Sequence, residues 1–174
     1  MQYKVLYLTF FYHLKRTYLF SIFVLMTASQ FNTYMILHLP SAYWCGVRLR
    51  QLTSERATTT VRLSWFNKNP FRSMFWAVQG MAAELATGAL MMAKIKATGH
   101  NVSMLVVQNE ATFTKKAVGR ITFTCEQGRD VDQTLDSAIA TEEAGTVWLT
   151  ATGTDESGDQ VSVFNFKWSV KLKH

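Results

Sequence analysis

The sequence predicts an α+β domain in which an antiparallel sheet of about six strands curves around one long helix. Three observations carry that expectation. Residues Ser73 to Lys96 hold no proline and a single charge, Glu84, before the closing Lys94 and Lys96. Alanine, methionine and leucine dominate this stretch, so its intrinsic preference is helical, and at ~1.5 Å per residue it spans roughly 35 Å. It is apolar on nearly every side, which reads as a helix buried all round. On both sides of it the hydrophobic pattern switches to period two, the mark of strands with one covered face. Lastly, Ala77, Gly80, Ala82, Ala83, Ala86, Gly88 and Ala89 stud the rod with small residues, which lets a sheet close on it.

Taken in order, Ser29 to Leu39 suits a short amphipathic helix stopped by Pro40. A strand is expected over Trp44 to Leu52, with Val47 and Leu49 opposite Arg48 and Arg50. Thr58 to Trp65 alternates so that Val61, Leu63 and Trp65 point inward. The long helix begins where Asn69, followed by Pro70, or Ser73 one turn later, provides a cap. It ends at Gly99, with Lys94 and Lys96 in its last turn complementing the helix dipole. Val102 to Thr114 is a strand showing Leu105 and Val107 on one side, Lys115-Lys116 turns, and Gly119 to Glu126 follows with Ile121, Phe123 and Cys125 on one face. Asp130 to Glu143 is polar, helix or loop, with Val131, Leu135 and Ile139 four apart. Thr146 to Asp155 and Gln160 to Leu172 form a hairpin across Glu156-Ser-Gly-Asp. Phe164, Phe166, Trp168, Val170 and Leu172 give the last strand an unbroken apolar face. A sheet of this kind rolled around a central helix is the hotdog arrangement, and its leftover edge strands favour a second subunit.

The 174 residues suffice for one domain with a real core, and 48% hydrophobic with 17% charged residues is a globular balance. The net charge of +6 dissolves when it is located. Residues 1–50 contribute +5, from Lys4, Lys15, Arg16, Arg48 and Arg50, and the rest, with 13 basic and 12 acidic residues, only +1. A clustered basic face, the footprint of nucleic-acid binding, is therefore not indicated. Cys45 and Cys125 stand far apart without neighbouring histidines, which favours a reduced, cytoplasmic chain and gives no metal-ligand spacing.

The first residues form a separate problem. The apolar run Thr17 to Ala28, after Lys15-Arg16, is shorter than the ~18–20 residues that cross a bilayer. Residues 1–28 are read as an extension: a signal or membrane anchor, an added helix, or an over-long translation start. The last is preferred, with Met26 as initiator, because Met26-Thr-Ala-Ser-Gln-Phe opens like a soluble chain. Residues 29–174 then form the single domain, and membrane contact is expected only if residues 1–26 are retained.

The chemistry centres on Glu84. Gly80 and Gly88, one turn before and after it, share its stripe, so a ligand can reach the carboxylate. In apolar surroundings its pKa should rise towards neutrality, as suits a general base. The plain alternative is a structural glutamate bonded to a backbone N–H or an arginine. N–H groups near Ser73 at the helix entry could polarise a carbonyl, or simply be capped. Gln79 and Thr87 could make a second polar stripe. Lys68, Arg72, Lys115, Lys116 and Arg120 could meet phosphates, or be solvated. No GxSxG, Walker, GxGxxG or HExxH motif is present, and His13, His38, His100 and His174 are scattered.

The segment Trp65-Phe-Asn-Lys-Asn-Pro-Phe-Arg-Ser-Met-Phe-Trp-Ala-Val-Gln-Gly-Met-Ala-Ala-Glu resembles a family of uncharacterised bacterial hotdog, thioesterase-like proteins. Ser103-Met-Leu-Val-Val and Lys115-Lys-Ala-Val-Gly-Arg-Ile-Thr-Phe-Thr-Cys resemble it too, and the likeness runs from about Phe31 to Lys173. Hotdog acyl-CoA thioesterases carry Asn…Gly-x-x-His-Gly-Gly at the helix entry and an acid nine residues after the His. Here Phe75-Trp76-Ala77 takes the His-Gly-Gly place, and Glu84 falls where the acid is expected. The resemblance implies a homodimer, or a tetramer, acting on an acyl-CoA or acyl-carrier thioester without a cofactor or metal. Glu84 would be general base or nucleophile, with Asn69 or Gln79 orienting it. Ser73, Met74, Phe75, Gly80, Gly88, Lys68 and Arg72 would contact substrate. A non-catalytic acyl-CoA or fatty-acyl binder is the alternative.

Overall fold

The computed structural model describes residues 27–173, and the expectations for residues 1–26 lie outside them. Helix α1 (Ala28–His38) opens on a capping box: the Gln30 N–H donates to Thr27 Oγ1, and the Thr27 N–H donates to Gln30 Oε1 at 2.8 Å. Pro40 does more than stop this helix. It takes the first position of a second, short helix, α2 (Pro40–Trp44), where its missing N–H costs nothing. The strand expected from Trp44 therefore starts later, as β1 (Arg48–Leu52). On its outer edge the Asn32 amide donates to the Leu49 carbonyl and accepts from the Leu49 N–H, at 3.0 and 2.9 Å. A side chain thus completes what a neighbouring strand would have bonded.

Strand β2 (Ala57–Arg62) is followed by α3 (Trp76–Thr98), β3 (Val102–Phe113), β4 (Arg120–Cys125), α4 (Gly128–Thr141), β5 (Gly145–Thr154) and β6 (Gln160–Leu172). The six strands form one antiparallel sheet in the order β1-β2-β4-β5-β6-β3, wrapped around α3. This is the hotdog fold. One expected facing is corrected. Trp65 is 81% exposed, because β2 ends at Arg62 and the chain turns outward before the alternation reaches it. Leu105, at 65%, and Val107 share one side of β3 as expected, and that side faces out; β3 is an edge strand paired only with β6, with a register shift between Val106 and Gln108. The apolar face of β6 is as expected, with Phe164, Phe166, Trp168 and Val170 all buried.

Three side-chain bonds fix the register of α3 against the sheet. Thr59 Oγ1 donates to the Ala82 carbonyl at 2.7 Å, Ser162 Oγ to Gln79 Oε1 at 3.0 Å, and Trp168 Nε1 to Thr87 Oγ1 at 3.1 Å. Ala82, Ala83, Ala86 and Ala89 are fully covered, so small residues do allow the sheet to close on the rod. The helix ends as its glycine predicts, Gly99 adopting φ 72° with its N–H donating to the Lys96 carbonyl. Lys94, however, is only 5% exposed. It pairs with Asp132 of α4 instead of lying along the helix end, which ties the two helices together.

Candidate active site

One long stripe of α3 is not covered. Trp76 and Glu84 are exposed and Gly80, Met81 and Met92 half-covered along it. The expectation of burial all round is therefore corrected: six strands, α2 and α4 enclose only part of the circumference. Glu84 stands in the middle of this stripe, and among the described residues its carboxylate has no hydrogen bond or ion pair. Beside it opens a pocket of about 220 Å³, lined by Leu39, Ala42, Met81, Leu85, Met104 and Trp168, with Gly88 beneath. The glutamate is exposed as a residue, yet these apolar walls strip water from its carboxyl end and push its pKa up from the ordinary value of 4.5. Gly80 and Gly88 share its side of the helix. A Cβ on either would stand 3.5 Å from an aromatic ring of β6, Phe164 or Trp168 respectively.

The segment entering α3 is built by asparagines. Asn67 is buried: its Oδ1 accepts from the Ser64 N–H, and its Nδ2 donates to the Cys45 and Arg62 carbonyls. Asn69 Oδ1 accepts from the N–H groups of Phe71 and Ser73, closing the turn at Pro70-Phe71. Neither Asn69 nor Ser73 caps α3. The cap position is Phe75, with extended backbone and no side-chain bond, so the helix starts later than its sequence signals suggest. The N–H groups of Ser73, Met74 and Phe75 are all engaged, by Asn69 Oδ1 and the Ala117 and Asn67 carbonyls. The Val78 and Gln79 N–H groups bond back to the Phe75 carbonyl. At this entry to α3 the N–H groups left without a bond among the described residues are thus those of Trp76 and Ala77, in the first turn, which no earlier helical carbonyl can reach.

The candidate residues fall into two groups. Asn69, Ser73, Met74, Trp76 and Gln79 surround a second groove with Lys116, at the start of α3. Gln79 is 4% exposed and bonded through both ends of its amide, to the Met74 carbonyl and Ser162. Lys68 and Arg72 are exposed near this entry, and Arg72 holds a positive φ of 60°. Lys115 is already paired with Asp155 and Asp159. Glu84 and Gly88 belong to the other group, Glu84 lying about 12 Å along the helix from Trp76. Asn67 escaped sequence reasoning, although its place two residues before Asn69 in a proline turn was a usable signal. The pocket walls escaped too, because they come from four separate elements.

Both cysteines are free, and burial pushes the Cys125 thiol up to about 11. No cluster able to hold a metal is present among the described residues, and no described helix is long and apolar enough to cross a membrane.

The fold has many solved counterparts. A Pseudomonas aeruginosa protein of unknown function, described as a probable thioesterase, superimposes with TM-score 0.70 at 18% identity, over 83% of this chain and 96% of that one. A Chlorobaculum tepidum protein of unknown function gives 0.71 at 15%, over 85% and 98%. A Haemophilus influenzae thioesterase gives 0.62 at 13%, over 84% and 91%. At such identities the likeness is one of fold. No curated protein matches the sequence. Residues 27–170 do match a family model, nearly all of the described residues, and the chain belongs to that family, the domain of unknown function DUF4442.

Proposed function

We propose that the protein is a thioesterase that hydrolyses an acyl-CoA or acyl-carrier thioester. The observation that carries this reading is the Glu84 carboxylate, without a partner among the described residues and with a raised pKa, at the mouth of an apolar pocket. A carboxylate whose pKa is raised is a stronger proton acceptor than an ordinary one, as a general base requires. Water attacks the thioester carbonyl as its proton passes to Glu84. The oxyanion so formed needs N–H donors, and the collapse of the intermediate expels the thiolate, which recovers the proton from Glu84. Fatty acid and free thiol result, with no cofactor involved. Direct attack by Glu84 is the variant route.

Within one protomer the unengaged donors of Trp76 and Ala77 stand about two helical turns from Glu84, too far to serve the same carbonyl. We therefore assign the working site to a homodimer in which the entry turn of one α3 faces Glu84 of the other. The unpaired edge of β3, with Leu105, Val107 and Phe113 exposed, supports such pairing. Asn69 holds the entry turn in shape, and Lys68 and Arg72 lie near enough to it to meet the phosphates of a cytoplasmic CoA or carrier. One observation favours a non-catalytic acyl binder: the Trp76 indole lines the entry groove where thioesterases of this fold keep small residues.

A hydrolysis screen from acetyl-CoA to palmitoyl-CoA, run beside mass spectrometry of ligands that co-purify, separates the two. Turnover that peaks at one range of chain lengths is expected. A bound acyl compound with no turnover of any thioester would establish the binder.

A further inference from the structure

The pocket below Glu84 has a defined floor, and we infer that Trp168, seated against Gly88, limits the acyl group to a short or medium chain. This inference rests on the acyl-site reading above and adds the size of the substrate. The mouth of the pocket is formed by Leu39 and Glu84, both exposed, while Gly88 and Trp168 are buried, Trp168 to 5% exposure. An acyl chain entering beside Glu84 therefore runs inward until it meets the indole.

The indole is not free to move aside. Its Nε1–H donates to Thr87 Oγ1 at 3.1 Å, and the Thr87 hydroxyl donates in turn to the carbonyl of Glu84 itself at 3.0 Å. The edge of its six-membered ring lies against Gly88, where a Cβ would be 3.5 Å from two ring carbons. On β6 it is flanked by Val106 of β3 and Val147 of β5. One hydrogen-bonded chain thus joins the pocket floor to the backbone of the proposed base.

The volume sets the length. An apolar cavity of about 150 Å³ takes a benzene ring, so by the same packing the 220 Å³ here takes up to roughly nine carbons. Ligand sites that enclose a whole drug-sized molecule are larger, about 300 Å³ or more. The pocket therefore suits the acyl part of a thioester and leaves the carrier outside.

Calorimetric binding of straight-chain fatty acids, from butyrate to palmitate, tests this without requiring turnover. For the wild type, affinity should rise about fourfold per methylene and then level off near roughly nine carbons. Trp168→Leu should move the plateau to longer chains by at least two carbons. Gly88→Ala, whose methyl fits against the ring without displacing it, should move the plateau to shorter chains, so the test survives if Trp168→Leu does not fold. The same shifts should appear in the chain-length profile of kcat/KM. A plateau unchanged in both folded variants would overturn the Trp168 floor and leave the acyl site standing. Failure of the wild type to bind any chain would overturn the acyl site, and the floor with it.

Discussion

The two sides of α3 are made from the same small and apolar residues and meet opposite surroundings. On the sheet side every polar group is answered: Gln79 by Ser162, Thr87 by Trp168 and the Ala82 carbonyl by Thr59. On the outward side Glu84 has no partner among the described residues, although it lines an apolar pocket with Leu39, Ala42, Met81 and Leu85. A fold selected only for stability would treat both sides alike, since an unpaired carboxylate against apolar walls is unfavourable. The contrast separates the residues that build the helix into the sheet from those available for chemistry.

That comparison can be broken most severely from the sheet side. Ala86 is fully covered, so Ala86→Leu has no space for its added carbons and should cost about 3 kcal/mol. Urea denaturation checks it, and a loss under 1 kcal/mol would mean the sheet is not closed on the helix. Thr87→Val keeps the shape but strands the buried Trp168 indole N–H, at a cost of about 2 kcal/mol. If this variant is as stable as the wild type, the indole has another acceptor.

Smaller effects sharpen the outward side. Gly80→Ala places its methyl 3.5 Å from Phe164, an ordinary contact, while removing a mid-helix glycine, so it should stabilise by about 0.5–1 kcal/mol. A destabilised Gly80→Ala would show that the ring lies closer in solution. The smallest stability effect belongs to Glu84. Its pKa is raised in the folded state, so ionising it opposes folding as pH climbs through that raised value. Glu84→Gln should therefore melt above the wild type at pH 7, with the gap closing as pH falls towards the ordinary 4.5. A gap of the opposite sign would mean that Glu84 forms a stabilising bond.

Much of this architecture is legible in the sequence. The composition of α3 marks its length, Gly99 marks its end, and the alternation in β6 names the residues that cover it. The beginning of α3 is not legible, because Asn69 and Ser73 carry the chemistry of caps but spend it on the turn before the helix. Alternation also leaves open which strand is an edge, so the shared side of Leu105 and Val107 is legible while its exposure is not until the strand order is known. Glu84 itself stands out as a lone acid between two glycines. Its pocket does not, since Leu39, Met104 and Trp168 meet there only through tertiary packing.

The kinetics of Glu84→Gln on the best thioester test the central claim most directly. The substitution keeps the shape and removes the base, so kcat should fall by about 100-fold to 10,000-fold with KM little changed. The circular dichroism spectrum should stay that of the wild type. A folded Glu84→Gln protein with undiminished kcat would contradict the account and remove Glu84 from the mechanism.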